Sequence, residues 1–162
     1  MSELSEFEEM YLKRIFEAHF EQPDKIVKTT QLAEMMNVSP ASTTEMIQRL
    51  ALRGFVTHIP YRGSRLTSEG FLHTAKIKRR EALLQILLRE IIGFQGDVDE
   101  ISCKMEHAVD DELESRLDEF LGFPELHLDG NKIPQIKRTP VLIGSGVLLP
   151  IQTLPPDTSA II

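Results

Sequence analysis

Apolar residues recur along the first third of the chain at three- and four-residue steps, the spacing that gathers side chains onto one face of an α-helix. Leu4, Phe7, Met10, Tyr11, Ile15, Ala18 and Phe20 set out a first helix over residues 4–22, closed by Pro23 and Asp24. Met10 falls on that stripe, where a methionine ordinarily serves the core. A short second helix is expected over residues 28–36, with Thr30 as N-cap and Leu32, Ala33, Met35 and Met36 as its apolar face. Asn37 and Val38 make a tight turn, and Ser39 then caps a third helix over residues 40–53. Pro40 sits in its first turn, where a missing N–H costs little.

Helix, turn and helix in so short a span form the helix-turn-helix pattern. The first turns of the third helix carry Ser39, Pro40, Ala41, Ser42, Thr43, Thr44, Glu45 and Gln48, while Met46, Ile47, Leu50 and Leu52 mostly serve the core. Small and hydroxyl side chains at a helix N-terminus let backbone approach base edges and phosphates, as a major-groove reader requires. Ser39, Pro40, Ala41, Ser42, Thr43, Thr44 and Gln48 are therefore candidate DNA contacts, although an ordinary capped helix has the same look.

Gly54 ends that helix, and residues 55–59 and 64–67 read as two strands joined by Pro60, Tyr61, Arg62 and Gly63. Such a hairpin beside a reading helix is a wing, and Arg62 at its tip can lie along a phosphate backbone. Residues 67–80 return to helix and finish on Lys76, Lys78, Arg79 and Arg80, a basic run expected to be a solvated face. Residues 81–92 hold only four polar side chains, Glu81, Gln85, Arg89 and Glu90, so the helix is apolar almost all round and needs cover on several sides. A homodimer interface supplies that cover most economically. Residues 93–96 break the chain before an acidic helix expected over residues 98–121. From Gly122 onward Pro and Gly prevent long helices; residues 141–143 and 147–151 are candidate short strands in a mostly irregular tail.

Charge divides the chain of 162 residues. Residues 1–80 carry 12 Lys+Arg against 10 Asp+Glu, and residues 81–162 carry 6 against 15, so halves of +2 and -9 make up the net -7. The front half can meet a polyanion; the rear half repels one and attracts cations. No apolar run is long enough to span a membrane and no secretory signal opens the sequence, so the expectation is a cytoplasmic protein with no membrane partner. The single cysteine, Cys103, cannot form an internal disulfide and is left for packing, a metal or redox chemistry.

Cys103 lies in SCKMEH, residues 102–107, with Glu106 and His107 at i+3 and i+4. On an α-helix this spacing places thiolate, carboxylate and imidazole on one face, within reach of a single ion. Three ligands make a partial site, because transition metals take four or more. The plain alternative is a packed Cys beside a solvated Glu and His; another is oxidation of Cys103, with its neighbours tuning the thiolate. No HExxH or comparable catalytic signature occurs, so no enzyme activity and no small-molecule substrate are expected.

NVSPASTTEMIQRL, then RGFV, PYRGSRLTSEG, IIG, CKMEH and GNKIP, in this order, closely resemble the diphtheria toxin repressor family of metal-dependent transcriptional regulators, manganese transport regulators included. The resemblance covers roughly residues 4–135. It implies a mainly α fold: an N-terminal winged helix-turn-helix over residues 1–74, a helical metal-binding and dimerisation domain over 75–136, and a tail over 137–162 too short for a complete SH3-like domain. It further implies that Met10, within Glu9-Met10-Tyr11, joins Cys103, Glu106 and His107 in an activating metal site. With Met and Cys among the ligands, the resemblance favours Fe(II), with Mn(II) next. Glu81, Gln85 and Asp99 stand at the family's ancillary metal positions. No imidazole remains among them, so a second ion there is expected to be weakly held by oxygen. The implied function is control of metal homeostasis genes by a homodimer on palindromic operator DNA.

Overall fold

The computed structural model describes residues 3–22, 24–134, 141–143 and 146–148. The chain divides into two compact units, Met1–Ala75 and Lys76–Ile162.

In the first unit, α1 (Glu6–Glu21) opens on a reciprocal cap. Glu8 N–H donates to Ser5 Oγ at 3.2 Å and Ser5 N–H donates to Glu8 Oε2 at 2.8 Å, which satisfies two amides the helix cannot use itself. The expected apolar stripe is buried at Leu4, Tyr11, Ile15 and Ala18, joined by Leu12, which the pattern did not single out, whereas Phe7 and Phe20 remain exposed. α2 (Thr29–Met36) starts one residue before the expected cap: Lys28 holds the N-cap position without a side-chain bond, and Thr30 lies inside the helix. Asn37, in the left-handed region at φ 54, turns the chain. It leads into α3 (Pro40–Leu52), where Ser39 Oγ accepts from Ser42 N–H at 3.1 Å. Tyr11, Leu12, Ile15, Leu32, Met46, Ile47 and Leu50 form one core with Val27 and Val56. Leu52, expected to serve that core, is 90% exposed.

β1 (Val56–Ile59) and β2 (Gly63–Leu66) pair antiparallel, with Val56 opposite Leu66 and Ile59 opposite Gly63. Val27 adds a one-residue third strand, exchanging both backbone hydrogen bonds with Ser64 at 2.9 Å. Gly63 is required there, because at φ 133 a Cβ would stand 2.1 Å from Val27 O. Val27 thus holds the hairpin close to its turn, at Gly63 and Ser64.

α4 (Ser68–Ile86) is one helix where the sequence suggested two; nothing between Arg80 and Glu81 interrupts it. Thr67 Oγ1 starts it by accepting from Gly70 N–H at 3.0 Å and donating to Gly54 O at 2.6 Å. Past Ile86 the helix widens into a π-helical turn, Leu87–Ile91.

In the second unit, Leu83, Leu84, Val109 and Leu117 form the core, with Leu87 and Leu121 packed on it. The long acidic helix expected over residues 98–121 is broken. α5 (Val98–Met105) runs into a 3-10 turn, Glu106–Ala108. Val109 is extended, and Asp110 then caps α6 (Asp111–Phe120), accepting from Leu113 N–H at 2.8 Å. The break has a physical cause: Val109 is drawn into the core at 3% exposure. The acidic run that follows, Asp110 with Asp111, Glu112 and Glu114, suits a helix N-terminus better than a helix middle.

The basic run is not a solvated face. Arg79 is buried, and Arg79, Arg80 and Lys76 tie α4 to Asp111, Glu114 and Asp118 of α6. The two candidate short strands of the C-terminal stretch pair antiparallel as β3 (Val141–Ile143) and β4 (Gly146–Leu148); residues 149–151 of the expected second strand lie outside the described residues. Among the described residues no helix is long and apolar enough to cross a membrane.

Candidate functional site

The start of α3 offers a surface of small polar groups. Ser39, Pro40, Ala41, Ser42, Thr44 and Gln48 are exposed, as is Arg62 on the β1–β2 turn. Ser39 Oγ donates to Ser42 Oγ at 2.9 Å, and Thr44 Oγ1 donates to Pro40 O at 3.0 Å. These local bonds fix the hydroxyl groups in place. Thr43 must be removed from the candidate DNA contacts. Its side chain is fully buried, donates to Ser39 O at 3.1 Å and lies 3.5 Å from Tyr11 Oη, so it holds α3 on α1 and cannot reach a base edge.

The candidate metal ligands fall in both units. Met10 is half-buried on α1 in the first. Beside it in sequence, Glu9 is buried, with Oε1 3.7 Å from His73 Nε2 of α4. His73 carries no spacing signal relative to Glu9, which is why sequence reasoning passed it over. In the second unit, Cys103 is half-buried in the last turn of α5, and Glu106, 2% exposed, forms the C-cap of that helix. His107 follows in the 3-10 turn, with Nε2 3.2 Å from Glu106 Oε1. The expected α-helical face of three ligands therefore ends at Glu106, and the tighter turn carries His107. The structure brings Glu106 and His107 together in this unit.

The donor set suits a divalent transition ion. Two ligand atoms about 2.1 Å from one metal, at tetrahedral to octahedral angles, stand roughly 3 to 3.5 Å apart, and Glu106 Oε1 and His107 Nε2 meet that condition. Carboxylate and imidazole from Glu106 and His107, with the Cys103 sulfur in the same unit, mix hard and soft character.

At the ancillary positions the structure corrects the sequence. Gln85 Nε2 donates to Asp99 Oδ1 at 3.0 Å, and Gln85 Oε1 meets His127 Nε2. An imidazole is present after all, delivered by the loop after α6, where no regular spacing announces it. His127 Nδ1 lies 3.2 Å from Asp129 Oδ1. The Asn131 backbone N–H, above all, holds the Asp129 carboxyl below its ordinary range. Glu81 is half-buried one helical turn before Gln85.

Residues 3–64 match the iron dependent repressor N-terminal DNA binding domain, and residues 67–135 match the iron dependent repressor metal binding and dimerisation domain. An uncharacterised HTH-type transcriptional regulator of Methanocaldococcus jannaschii is 34% identical over 119 residues, covering 73% of this chain and 94% of that one. The diphtheria toxin repressor of Corynebacterium glutamicum is 31% identical over 135 residues, covering 83% of this chain but only 58% of its own length. Among solved structures, the manganese regulator SloR matches with a TM-score of 0.68 at 32% identity, over 79% of this chain and 59% of that one. A manganese-dependent transcriptional repressor in complex with manganese matches at 0.70 and 32%, over 89% and 63%. The two domain matches run in the order the fold displays, winged helix first and helical unit second, and the chain belongs to the iron-dependent repressor family, whose members are metal-dependent transcriptional repressors and not enzymes.

Proposed function

We propose that this protein represses metal homeostasis genes by binding palindromic operator DNA as a homodimer when loaded with a divalent metal, Fe(II) by preference and Mn(II) next. The observation that carries the reading is the Glu106–His107 pair, two unlike donors 3.2 Å apart in the unit that matches a metal binding domain. Met10 and Cys103 complete the ligand set. Their sulfur atoms favour Fe(II) over Mn(II), which is best served by oxygen and nitrogen. The relatives' names carry both metals: iron-dependent repressors of mycobacteria and a manganese regulator.

Each residue then has a task. Ser39, Pro40, Ala41, Ser42, Thr44 and Gln48 present α3 to the major groove, where Gln48 has the reach and the amide to bond a base edge. Arg62 pairs with phosphate. Two copies place two such helices about 34 Å apart, one turn of the duplex. Met10 belongs to the DNA-binding unit and Cys103, Glu106 and His107 to the other, so ligation by all four couples the reader to the dimer and settles that spacing. A bound divalent ion supplies positive charge that offsets the Cys103 thiolate and the Glu106 carboxylate close to an anionic duplex.

The test is an anaerobic gel shift on a palindromic operator with Fe(II), with Mn(II) and with chelator. The expected result is a shift that needs metal and is stronger with Fe(II) at equal free concentration. A shift of equal strength in chelator overturns the switch. His107→Ala is expected to abolish the metal-dependent shift while the protein still elutes as a dimer.

A further inference from the structure

Tyr61 breaks a local rule without any return in packing. Arg62 N–H donates to Ile59 O at 3.1 Å across Pro60 and Tyr61, and Tyr61 has φ 64. A proline at the second position and a left-handed third residue are the pattern of a type II turn, whose third position favours glycine or asparagine. A tyrosine there is strained by its own Cβ. Its ring is also fully exposed, at 108% of the reference area, so it gains nothing from burial. A glycine would relieve the backbone and remove an aromatic surface from water. Where a residue violates local preference and contributes no contact to the fold, the compensation is sought in function.

Its position says which function. Immediately beside the turn, β2 is tied down by the Val27–Ser64 hydrogen bonds and by the close approach of Gly63 to Val27 O. The tip cannot swing freely, so Tyr61 and Arg62 are presented together on a stiff stalk beside α3. Arg62 is the cation at that tip. A planar, largely apolar ring next to a guanidinium matches a sugar–phosphate edge: the cation takes the phosphate, and the ring takes the apolar face of the deoxyribose.

We propose that Tyr61 is a DNA-contacting residue whose ring packs on the sugar wall of the groove flanking the half-site read by α3, lengthening the operator footprint by a contact that does not depend on charge. This rests on the repressor reading above. The chemistry of the contact separates it from that of Arg62. Loss of a phosphate contact weakens binding and lowers the salt slope by about one, whereas loss of an apolar contact weakens binding at every salt concentration and leaves the slope unchanged.

The experiment uses a duplex selected by the metal-loaded wild-type protein from a random-sequence library. Affinity is measured by fluorescence anisotropy across a salt series for wild type, Tyr61→Gly, Tyr61→Phe and Arg62→Ala, with the melting temperature of each protein. Tyr61→Gly is expected to melt at or above the wild-type temperature and to bind about fivefold or more weakly at an unchanged salt slope. Tyr61→Phe is expected to keep most of the affinity, and Arg62→Ala to flatten the slope. If wild type binds a duplex and Tyr61→Gly binds it equally well, the assignment is overturned, and the ring is left for a protein partner. A clear fall in the melting temperature of Tyr61→Gly also overturns it, since the tyrosine then serves the fold. If wild type selects no duplex at all, the repressor reading itself fails and takes this contact with it.

Discussion

Arg79 Nη2 lies 2.7 Å from Asp118 Oδ1, with side chains only 2% and 3% exposed. Glu114 is the second acid on the same guanidinium, 3.3 Å from its Nε. A buried ion pair adds little net stability over a well-packed apolar pair, but removing one partner strands the other charge out of water, at a cost of about 3–5 kcal/mol. Arg79→Ala is therefore expected to destabilise the protein by roughly that amount in urea or thermal unfolding. Lys76, more exposed and paired with Asp111, is the control. Lys76→Ala should cost less than about 1 kcal/mol. Equal losses for the two variants would show that burial of the network is not what matters.

Thr43 and Gln48 share a helix but divide the work. Thr43 is buried against Tyr11 and donates to Ser39 O, whereas Gln48 is exposed. Thr43→Val keeps the shape and deletes the hydroxyl group, so it should lower stability by about 1 kcal/mol and leave operator preference unchanged. Gln48→Ala should leave stability nearly unchanged and relax discrimination at one base pair by about 1–3 kcal/mol. Unfolding curves alongside binding to single-substituted operators check both halves of the contrast.

The contrast also shows how far the sequence could be read. Period and punctuation revealed α1, α2, α3 and the wing, because Ser39-Pro40 starts a helix by backbone chemistry alone and Gly54 and Gly63 sit where a positive φ or a close approach demands them. Facing was less legible: Thr43 looked like its exposed neighbours Ser42 and Thr44, and only the packing of α3 on α1 turns it inward. The break at Val109 was hidden for a related reason. An i, i+3, i+4 pattern continues through residues 103–107, and it takes the pull of the second core on Val109 to end the helix there. Partners distant in sequence, such as Arg79 with Asp118, Gln85 with His127 and Glu9 with His73, leave no periodic trace at all.

Acid should loosen the first unit at Glu8. The Ser5 backbone N–H, above all, holds the Glu8 carboxyl below its ordinary value of 4.5, with the Ser5 hydroxyl and the Arg53 and Arg49 charges helping against partial burial. A carboxyl whose folded pKa is depressed adds stability that is fully present above its unfolded pKa and is lost as pH falls through the folded one. Asp111, held low chiefly by its hydrogen bond from Lys76, acts in the same direction. The melting temperature should thus hold steady down to about pH 4.5 and fall below it. Glu8→Gln, neutral at every pH, should flatten part of that acid limb. An acid limb of unchanged steepness in the variant would remove Glu8 from the account.

The Gln85 amide is already committed at both ends, its nitrogen to Asp99 and its oxygen to His127. An ion entering at these positions must displace hydrogen bonds that the chain makes with itself. The Glu106–His107 pair is a different case: two unlike donors already converge within 3.2 Å, the separation of two ligands on one ion. Metal titration followed by mass-spectrometric metal counting should therefore find one tightly held divalent ion per chain. Gln85→Ala and Asp99→Ala should leave that stoichiometry intact, and His107→Ala should reduce it to none. Loss of a full equivalent in Gln85→Ala would mean instead that the bridge to His127 opens readily and that the ancillary positions hold metal in their own right.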